Sequence, residues 1–307
     1  HNTYPYRVVY SWRKTTSKFL SLVSFDYADY RTKIRSGILH VETPLSKSIA
    51  YEHENMKLLG IDTLLNSIRY TWTYSHNPPA KPEVYQSVNR SKAPKLNVVP
   101  HTFKYGIEGD FGSWNSYGNW IYRLNENKDE LPVSEQSKVK SLTAGVDNDV
   151  EKAKILYKYL QDNTRYINVS INIGGLQTYP ASYVVTNKYG DCKALTNYMK
   201  SMLKCIGINS YYTIVNSSDE VEDIKNDFTH QAFNHVMLTI PFGKDTTYLE
   251  CTSKHTPFGY LGTHIQGRKA LLTDEKDSRL ISIPSLKPKD VLCTRKFIVD
   301  IDKSLVE

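Results

Sequence analysis

The hydrophobic pattern of this chain changes near residue 105, and that change constrains the fold more than any other feature of the sequence. Three segments before it are rich in β-branched and aromatic residues, as strands usually are: Tyr6–Trp12, Ser36–Glu42 and Ser67–Ser75. Three segments after it have helical character: Gly118–Leu124, Ser134–Leu142 and Asp149–Leu160. Short strands return from Tyr211 onward, and helices followed by strands predict an α+β fold.

Three domains are predicted from these changes. Residues 1–105 form a β-rich, sandwich-like domain, and residues 106–282 form a mixed α+β core. The proline-spaced stretch Ile283–Pro288 is typical of a linker, and a last strand is predicted at Cys293–Ile301. We therefore expect residues 283–307 to be a linker and the start of a C-terminal β domain.

The composition excludes several kinds of protein. Of the 307 residues, 40% are hydrophobic and 23% are charged, which suits a globular chain with a large core rather than a disordered one. The net charge of +7 is spread along the chain, so no nucleic-acid partner is indicated. No apolar run approaches the ~18 residues of a membrane span, so we expect no such span in this chain. Four cysteines are too few for a disulfide scaffold and leave each thiol available for chemistry.

Residues 188–194, Lys-Tyr-Gly-Asp-Cys-Lys-Ala, are the most informative for chemistry. The glycine permits a tight turn, Asp191 is a good N-cap, and a helical pattern of apolar residues follows until Gly207. Cys192 therefore lies in the first turn of a predicted helix, where unpaired N–H groups and the helix dipole favour the nucleophilic thiolate. The alternative is a buried cysteine that packs as a small hydrophobic residue.

A thiolate nucleophile needs an acid–base partner, and His235 is the best placed of nine histidines. It lies in the predicted strand Phe233–Ile240, on the face opposite to the alternating apolar residues. A symmetric hairpin about Phe242 and Gly243 pairs His235 directly with Glu250, whose carboxylate would orient the imidazole. The alternatives are a structural histidine and an exposed strand carboxylate.

The order of these motifs resembles the transglutaminase-like superfamily of cysteine enzymes. The resemblance rests on Tyr-Gly-Asp-Cys-Lys at a helix start, Asn-His-Val on a strand, and an acidic residue two before a threonine on the next strand. It extends upstream to 164–167 and 174–181 and downstream to 256–262, and so covers about residues 160–260. The region before it resembles a β-rich domain of unknown function that precedes this core in many bacterial envelope proteins.

The resemblance implies a papain-type core in which Cys192 is the nucleophile, His235 the general base and acid, and Glu250 the orienting carboxylate. Such a core is a cysteine protease or amidohydrolase that needs no cofactor and no metal. The family usually has aspartate where this chain has Glu250, which is one methylene longer. We interpret this as a tolerated variant, and a weakened or inactive site is the alternative.

The predicted reaction is acyl transfer on amide bonds, with hydrolysis of a peptide or protein substrate as the default because water is always present. Gln177 is predicted to be a second oxyanion donor, and Tyr166 and Tyr179 to line the substrate groove. A loop glutamine and packing aromatics are the alternatives. A protein-crosslinking transglutaminase and a noncatalytic module that binds a peptide or glycan also remain open.

Two further expectations concern metals and surroundings. A zinc site can be composed from His230, His235, Cys251 and His255, but no Cys-x-x-Cys supports it, and we expect no metal. The N-terminal domain is rich in tyrosine, which suits contact with a glycan or the cell envelope, although filling strands is the simpler role. The resemblance suggests a bacterial, periplasmic or envelope-associated protein.

Overall fold

The computed structural model describes residues 9, 11, 13, 20–27, 33–76, 93–169, 172–219, 223–287, 289, 294–296, 299–300 and 305–306. The predicted strands at Tyr6–Trp12 and Cys293–Ile301 lie mostly outside these residues. Two compact units make up the described chain. The N-terminal unit contains the described residues as far as Leu124, together with Lys225–Gln231, and the core unit contains the rest.

The N-terminal unit is rich in strands, as predicted. Its described elements are β1 (Val23–Asp26), β2 (Ile34–Pro44), β3 (Ile49–Glu54), β4 (Met56–Thr63), β5 (Ser67–His76), β6 (Lys95–Pro100), β7 (Thr102–Tyr105), β8 (Ile107–Asp110) and α1 (Trp114–Leu124). Antiparallel pairing gives the sheets β1-β6-β3 and β2-β5-β4 and the hairpin β7-β8. Apolar side chains of both three-stranded sheets pack around Trp72, which is fully buried.

Helix α1 belongs to the N-terminal unit rather than to the core unit. It buries Tyr117, Trp120 and Ile121 at helical spacing. The Trp120 ring contacts Phe103 of β7 with ring centroids 4.9 Å apart. The contacts therefore divide the chain after Leu124, later than the predicted boundary at 105. Periodicity predicts a helix but cannot indicate which core its apolar face joins, and the division into three domains stays a prediction.

The core unit has helices followed by strands, which confirms the predicted α+β class. Its elements are α2 (Val133–Leu142), α3 (Asp149–Asn163), β9 (Arg165–Tyr166), a short 3-10 helix (Asn172–Gly175), α4 (Ala181–Asn187), β10 (Tyr189–Gly190), α5 (Cys192–Cys205), β11 (Tyr211–Val215), β12 (His235–Phe242), β13 (Asp245–Leu249), β14 (Lys269–Leu272), β15 (Arg279–Ser282), β16 (Val299–Asp300) and β17 (Leu305–Val306). An antiparallel sheet has the order β13-β12-β11-β14-β15. Among the described residues, no helix combines the length and hydropathy needed to cross a membrane.

Helix α5 lies at the centre of this unit. The Asp191 side chain caps it by accepting a hydrogen bond from the Ala194 N–H at 3.0 Å, as the sequence predicts. The buried face of α5 packs against Leu238 of β12 and Leu249 of β13. The chain leaves the helix at Gly207, where φ is +79°. Both ends of the helix are therefore set by local sequence, and its axis is fixed by burial against the sheet.

The hairpin of β12 and β13 differs in register from the sequence prediction. Phe242 lies opposite Asp245, and the two residues between them form the turn. Gly243 occupies the first turn position with φ +63°, where a type II′ hairpin requires glycine. The predicted turn placed this glycine second, so the predicted direct pairing of His235 with Glu250 is wrong. Continuing the observed register places Glu250 opposite Met237, two residues away from His235 but on the same face.

Gly190 allows close packing under the first turn of α5. A Cβ at this position would lie 2.8 Å from Ala194 Cβ and 3.4 Å from Val184 Cγ2. Gly190 belongs to β10, which pairs in parallel with β9, and does not make the tight turn expected from sequence. The missing side chain is what lets the chain run directly beneath the start of α5.

We expect Gly190→Ala to lower the free energy of unfolding by about 1–3 kcal/mol, because α5 must shift to admit the methyl group. Urea unfolding measures this change. The matched control is Gly175→Ala, where a Cβ meets no atom within 4 Å, and its effect should stay within about 0.5 kcal/mol. Equal stability of the two variants would contradict the packing role of Gly190.

Candidate active site

Cys192 is the first residue of α5, and only 8% of its surface is exposed. The preceding residues are held by pairing of β10 with β9 and by a hydrogen bond from the Ile167 N–H to the Gly190 carbonyl. The thiol therefore lies at the positive end of a capped helix, where a negative charge on sulfur is favoured.

His235 links Cys192 to Glu250. Its Nε2 donates to Oε2 of Glu250 at 2.6 Å, and because a carboxylate only accepts, Nε2 carries the proton. Cys192 also interacts with this imidazole, since it is among the groups that raise the pKa of His235. Since Nε2 is engaged by the carboxylate, Nδ1 is the nitrogen left to face the sulfur. The structure thus brings together the three residues that the sequence predicted as nucleophile, base and orienting acid.

The Glu250 carboxylate is buried and fully engaged, with 4% of its surface exposed. Oε1 accepts hydrogen bonds from the Thr252 N–H at 2.9 Å and from the Thr252 hydroxyl at 2.6 Å. The Tyr157 hydroxyl donates to the Glu250 backbone carbonyl at 2.7 Å. Diagonal partners across a hairpin lie farther apart than direct partners. The longer glutamate side chain spans that diagonal and reaches His235.

The electrostatics of this pair favour its charged form. Burial lowers the pKa of His235, but the interactions with Cys192 and Glu250 outweigh burial and raise that pKa to about 10. Burial raises the pKa of Glu250, but hydrogen bonds from His235 and Thr252 outweigh it and leave the pKa below its ordinary value. At neutral pH the site therefore holds an imidazolium beside a carboxylate, which is the state that can protonate a leaving group.

The other three predicted site residues are placed differently from one another. Tyr166, in β9, is half exposed, and the charges of Cys192, Asp191 and Glu250 add to burial in raising its pKa, so it borders the site. Tyr179 stacks on Tyr183 with ring centroids 4.7 Å apart and packs against the core. Gln177 follows the 3-10 helix, and its backbone N–H donates to the Ile173 carbonyl. The groove role of Tyr179 and the oxyanion role of Gln177 stay predictions.

Sequence reasoning missed several residues of the site. Tyr157 and His264 each approach Glu250, and the His264 Nε2 lies 4.0 Å from Oε2. His264 is exposed and comes from the loop before β14, so no strand or helix period indicates its position. Thr252 belongs to the motif of an acidic residue followed two positions later by threonine, but sequence reasoning assigned it no role. The structure shows that this spacing lets Thr252 hydrogen-bond to the Glu250 carboxylate. Once the chain leaves β13, the Thr252 N–H is free of the ladder and turns back to the carboxylate.

The remaining thiols lie in other environments. Cys251 is buried in the apolar core, and burial raises the pKa of its thiol well above the ordinary value. Cys205 is half-buried at the end of α5, and Cys293 lies outside the described residues. Within the part of the chain that the structure describes, no three His, Cys, Asp or Glu side chains are grouped to hold a metal ion. His230, one of the possible zinc ligands, belongs to the N-terminal unit.

Comparison with known proteins gives one family match and two solved structures with similarity to this chain. The model of the transglutaminase-like superfamily matches residues 136–250. No curated protein sequence matches the chain. The crystal structure of a putative protease from Parabacteroides distasonis is similar, with a TM-score of 0.62 and 16% identity. The alignment covers 88% of this chain and 49% of that one, so this chain spans about half the length of that protein.

A putative cysteine protease from Cytophaga hutchinsonii aligns with 86% of this chain and 94% of its own length, at 11% identity. The TM-score of this alignment is 0.33. At 16% identity the Parabacteroides structure shows the fold alone. The family match contains Cys192, His235 and Glu250 and confirms the resemblance stated from the motifs. Residues 136–250, which contain the candidate site, therefore match the transglutaminase-like superfamily.

Proposed function

We propose that this protein is a cysteine-dependent hydrolase of peptide or amide bonds. The observation that supports this most is that His235 donates to Glu250 at 2.6 Å and also interacts with Cys192. A nucleophile, an acid–base group and an orienting carboxylate therefore occur in the order that covalent acyl transfer needs. The name of the Parabacteroides protein, a putative protease, is consistent with this reaction.

The reaction would proceed through a thioester. The Cys192 thiolate attacks the amide carbonyl carbon, and the protonated His235 gives its proton to the leaving amine as the C–N bond breaks. Water then attacks the thioester, His235 takes a proton from that water, and the thiolate leaves. Glu250 holds the ring so that Nδ1 faces the reacting atoms throughout, and stabilises its positive charge.

Charge develops on the carbonyl oxygen during both steps. The Cys192 backbone N–H lies in the first turn of α5 and is the first donor proposed for that oxygen. Gln177 is proposed to be the second hydrogen-bond donor to that oxygen, and Tyr166 is proposed to border the bound substrate. Hydrolysis is preferred over crosslinking because a crosslinking enzyme must exclude water and admit an amine, and no described feature provides this discrimination.

The N-terminal unit is proposed to contact a substrate protein, a glycan or the cell envelope. It contains a cavity of about 1080 Å³ that is lined by both basic and acidic side chains, among them Lys47, Lys104, Arg123, Glu108 and Asp110. A cavity of mixed charge suits a polar ligand rather than a lipid chain. The proposed location in a bacterial periplasm or envelope rests on the resemblance alone.

We expect Cys192 to react with iodoacetamide faster than Cys205 or Cys251 near pH 6, because only Cys192 lies at a helix start beside an imidazole. Peptide mapping by mass spectrometry after a short exposure measures the three rates. Cys192→Ala should lower hydrolysis of an unfolded protein substrate by at least about 10³-fold. An unreactive Cys192 would instead favour the noncatalytic binding module.

New N-termini and incorporation of a labelled primary amine separate the two enzymatic outcomes. Hydrolysis releases new N-termini in the substrate, whereas crosslinking attaches the amine to glutamine side chains. Release of N-termini by the wild type but not by Cys192→Ala supports the proposal. Amine incorporation without any cleavage would replace it with a transglutaminase.

We expect Glu250→Gln to lower kcat by about 10²–10³-fold, because the neutral amide neither holds the charged ring nor fixes its tautomer. Glu250→Asp should also lower kcat, by about tenfold, because the shorter side chain falls short of the diagonal to His235. Steady-state kinetics on a peptide substrate measure both. The control Glu151→Gln, in an exposed pair on α3, should change kcat by less than about twofold. Full activity of Glu250→Asp would contradict the argument from register.

The stability of the protein should depend on the charge of His235. Its pKa in the folded state, about 10, lies above the ordinary 6.5. The protonated ring therefore contributes fully to the free energy of unfolding below pH ~6.5, and this contribution is lost as pH rises toward ~10. Urea unfolding across this range should show wild type losing more stability than His235→Asn. Parallel profiles for the two proteins would show that His235 is not charged in the folded state.

A further inference from the structure

Tyr212 of β11 points toward α5. It lies opposite Leu238 of β12, which in turn lies opposite Leu249 of β13. Residues directly opposite one another in an antiparallel sheet share a face. Leu238 and Leu249 belong to the apolar cluster that packs against α5. The ring of Tyr212 is therefore on the face of the sheet that α5 covers, and Cys192 begins that helix.

The Tyr212 hydroxyl is buried without a hydrogen-bond partner. The residue is 6% exposed, and no described residue donates to or accepts from its hydroxyl. Tyr157 and Tyr198, two other buried tyrosines of the core unit, donate to the Glu250 carbonyl and to the Glu135 carboxylate. A buried polar group without a partner is unfavourable unless it is used in another state of the protein. Tyr212 is therefore a donor in need of an acceptor.

The neighbours of Tyr212 indicate which acceptor is available. Burial raises the pKa of Tyr212 well above its ordinary value, and the charges of Cys192 and Asp191 raise it further, so the phenol stays a proton donor. Of the Asp191 oxygens, Oδ1 accepts from the Ala194 N–H at 3.0 Å. Oδ2 is paired in charge with the Lys193 ammonium 2.6 Å away, although this contact lacks hydrogen-bond geometry. The sulfur of Cys192 is the acceptor whose charge changes during the proposed reaction. A neutral thiol accepts weakly, whereas a thiolate accepts strongly.

We propose that the Tyr212 hydroxyl donates a hydrogen bond to the Cys192 thiolate and thereby favours the ionised form of the nucleophile. The inference rests on the proposed function and adds a residue to its site. The thiolate would have two donors, the His235 ring from β12 and the Tyr212 phenol from β11. A thiolate accepts a hydrogen bond more strongly than a neutral thiol, so the contact should strengthen as Cys192 ionises.

The test compares ionisation of Cys192 in the wild type and in Tyr212→Phe. The rate of iodoacetamide reaction at Cys192 is measured from acid to neutral pH, and thiolate absorbance in the ultraviolet is read against Cys192→Ala. Loss of the hydroxyl should raise the midpoint of thiolate formation by about one pH unit and slow alkylation below that midpoint by about tenfold. The other titratable and charged groups near the sulfur are the same in both proteins: His235, Glu250, Asp191, Lys193 and Tyr166.

A structural role for the hydroxyl predicts that Tyr212→Phe lowers the free energy of unfolding and leaves ionisation of Cys192 unchanged. Under the proposal the hydroxyl bonds to no described residue when the thiolate is absent, so in the Cys192→Ala background the free energy of unfolding should be unchanged or higher. The matched control is Tyr211→Phe, because the neighbouring side chain points to the other face of the sheet. It should leave the Cys192 profile unchanged.

A second variant keeps the ring and the hydroxyl. Site-specific 3-fluorotyrosine at position 212 makes the phenol more acidic and a stronger donor, so the midpoint should move to lower pH. Movement of the two variants in opposite directions supports the proposal. If wild-type Cys192 is reactive and neither variant moves its midpoint, the role of Tyr212 is overturned and the proposed function survives. If wild-type Cys192 is unreactive, the proposed function fails first.

Discussion

Burial of the Glu250 carboxylate is the constraint on which the candidate site depends. A carboxylate withdrawn from water must be paired and hydrogen-bonded, and here Thr252 and His235 supply those partners. The same contacts fix one nitrogen of the imidazole and leave the other toward Cys192. Ring orientation at the site is therefore a consequence of satisfying a buried charge.

The position of the nucleophile follows from a second, independent set of contacts. Asp191 caps α5 and pairs with Lys193, while Gly190 lets β10 run beneath the first turn. These residues are close in sequence, and pairing of β10 with β9 holds them in place. The imidazole and the carboxylate come instead from a hairpin, and burial of α5 against the sheet joins the two parts. The family match spans both.

The sequence predicted the elements of the core well because their signals are local. The cap at Asp191, the apolar stripe of α5 and the strand Tyr211–Val215 were all visible in short windows. Contact between His235 and Glu250 was predicted through a hairpin register that proved two residues out. The predicted contact was still correct because a register error of two residues leaves each side chain on the same face of the sheet. An error of one residue would have placed each side chain on the opposite face. Tyr212 and His264 could not be predicted, since their proximity to the site depends on long-range packing.

The offset hairpin also couples two properties that would otherwise vary separately. A carboxylate that lies diagonally across the hairpin from the imidazole needs a longer side chain to reach it. The register set by the turn at Gly243 and the glutamate at position 250 therefore compensate for each other. A relative that shortened this side chain would have to slide the ribbon to keep the imidazole in reach. A change in turn length or register at Gly243 therefore affects the contact between Glu250 and His235. Transfer of this hairpin between homologues would have to include both the turn and the residue at position 250.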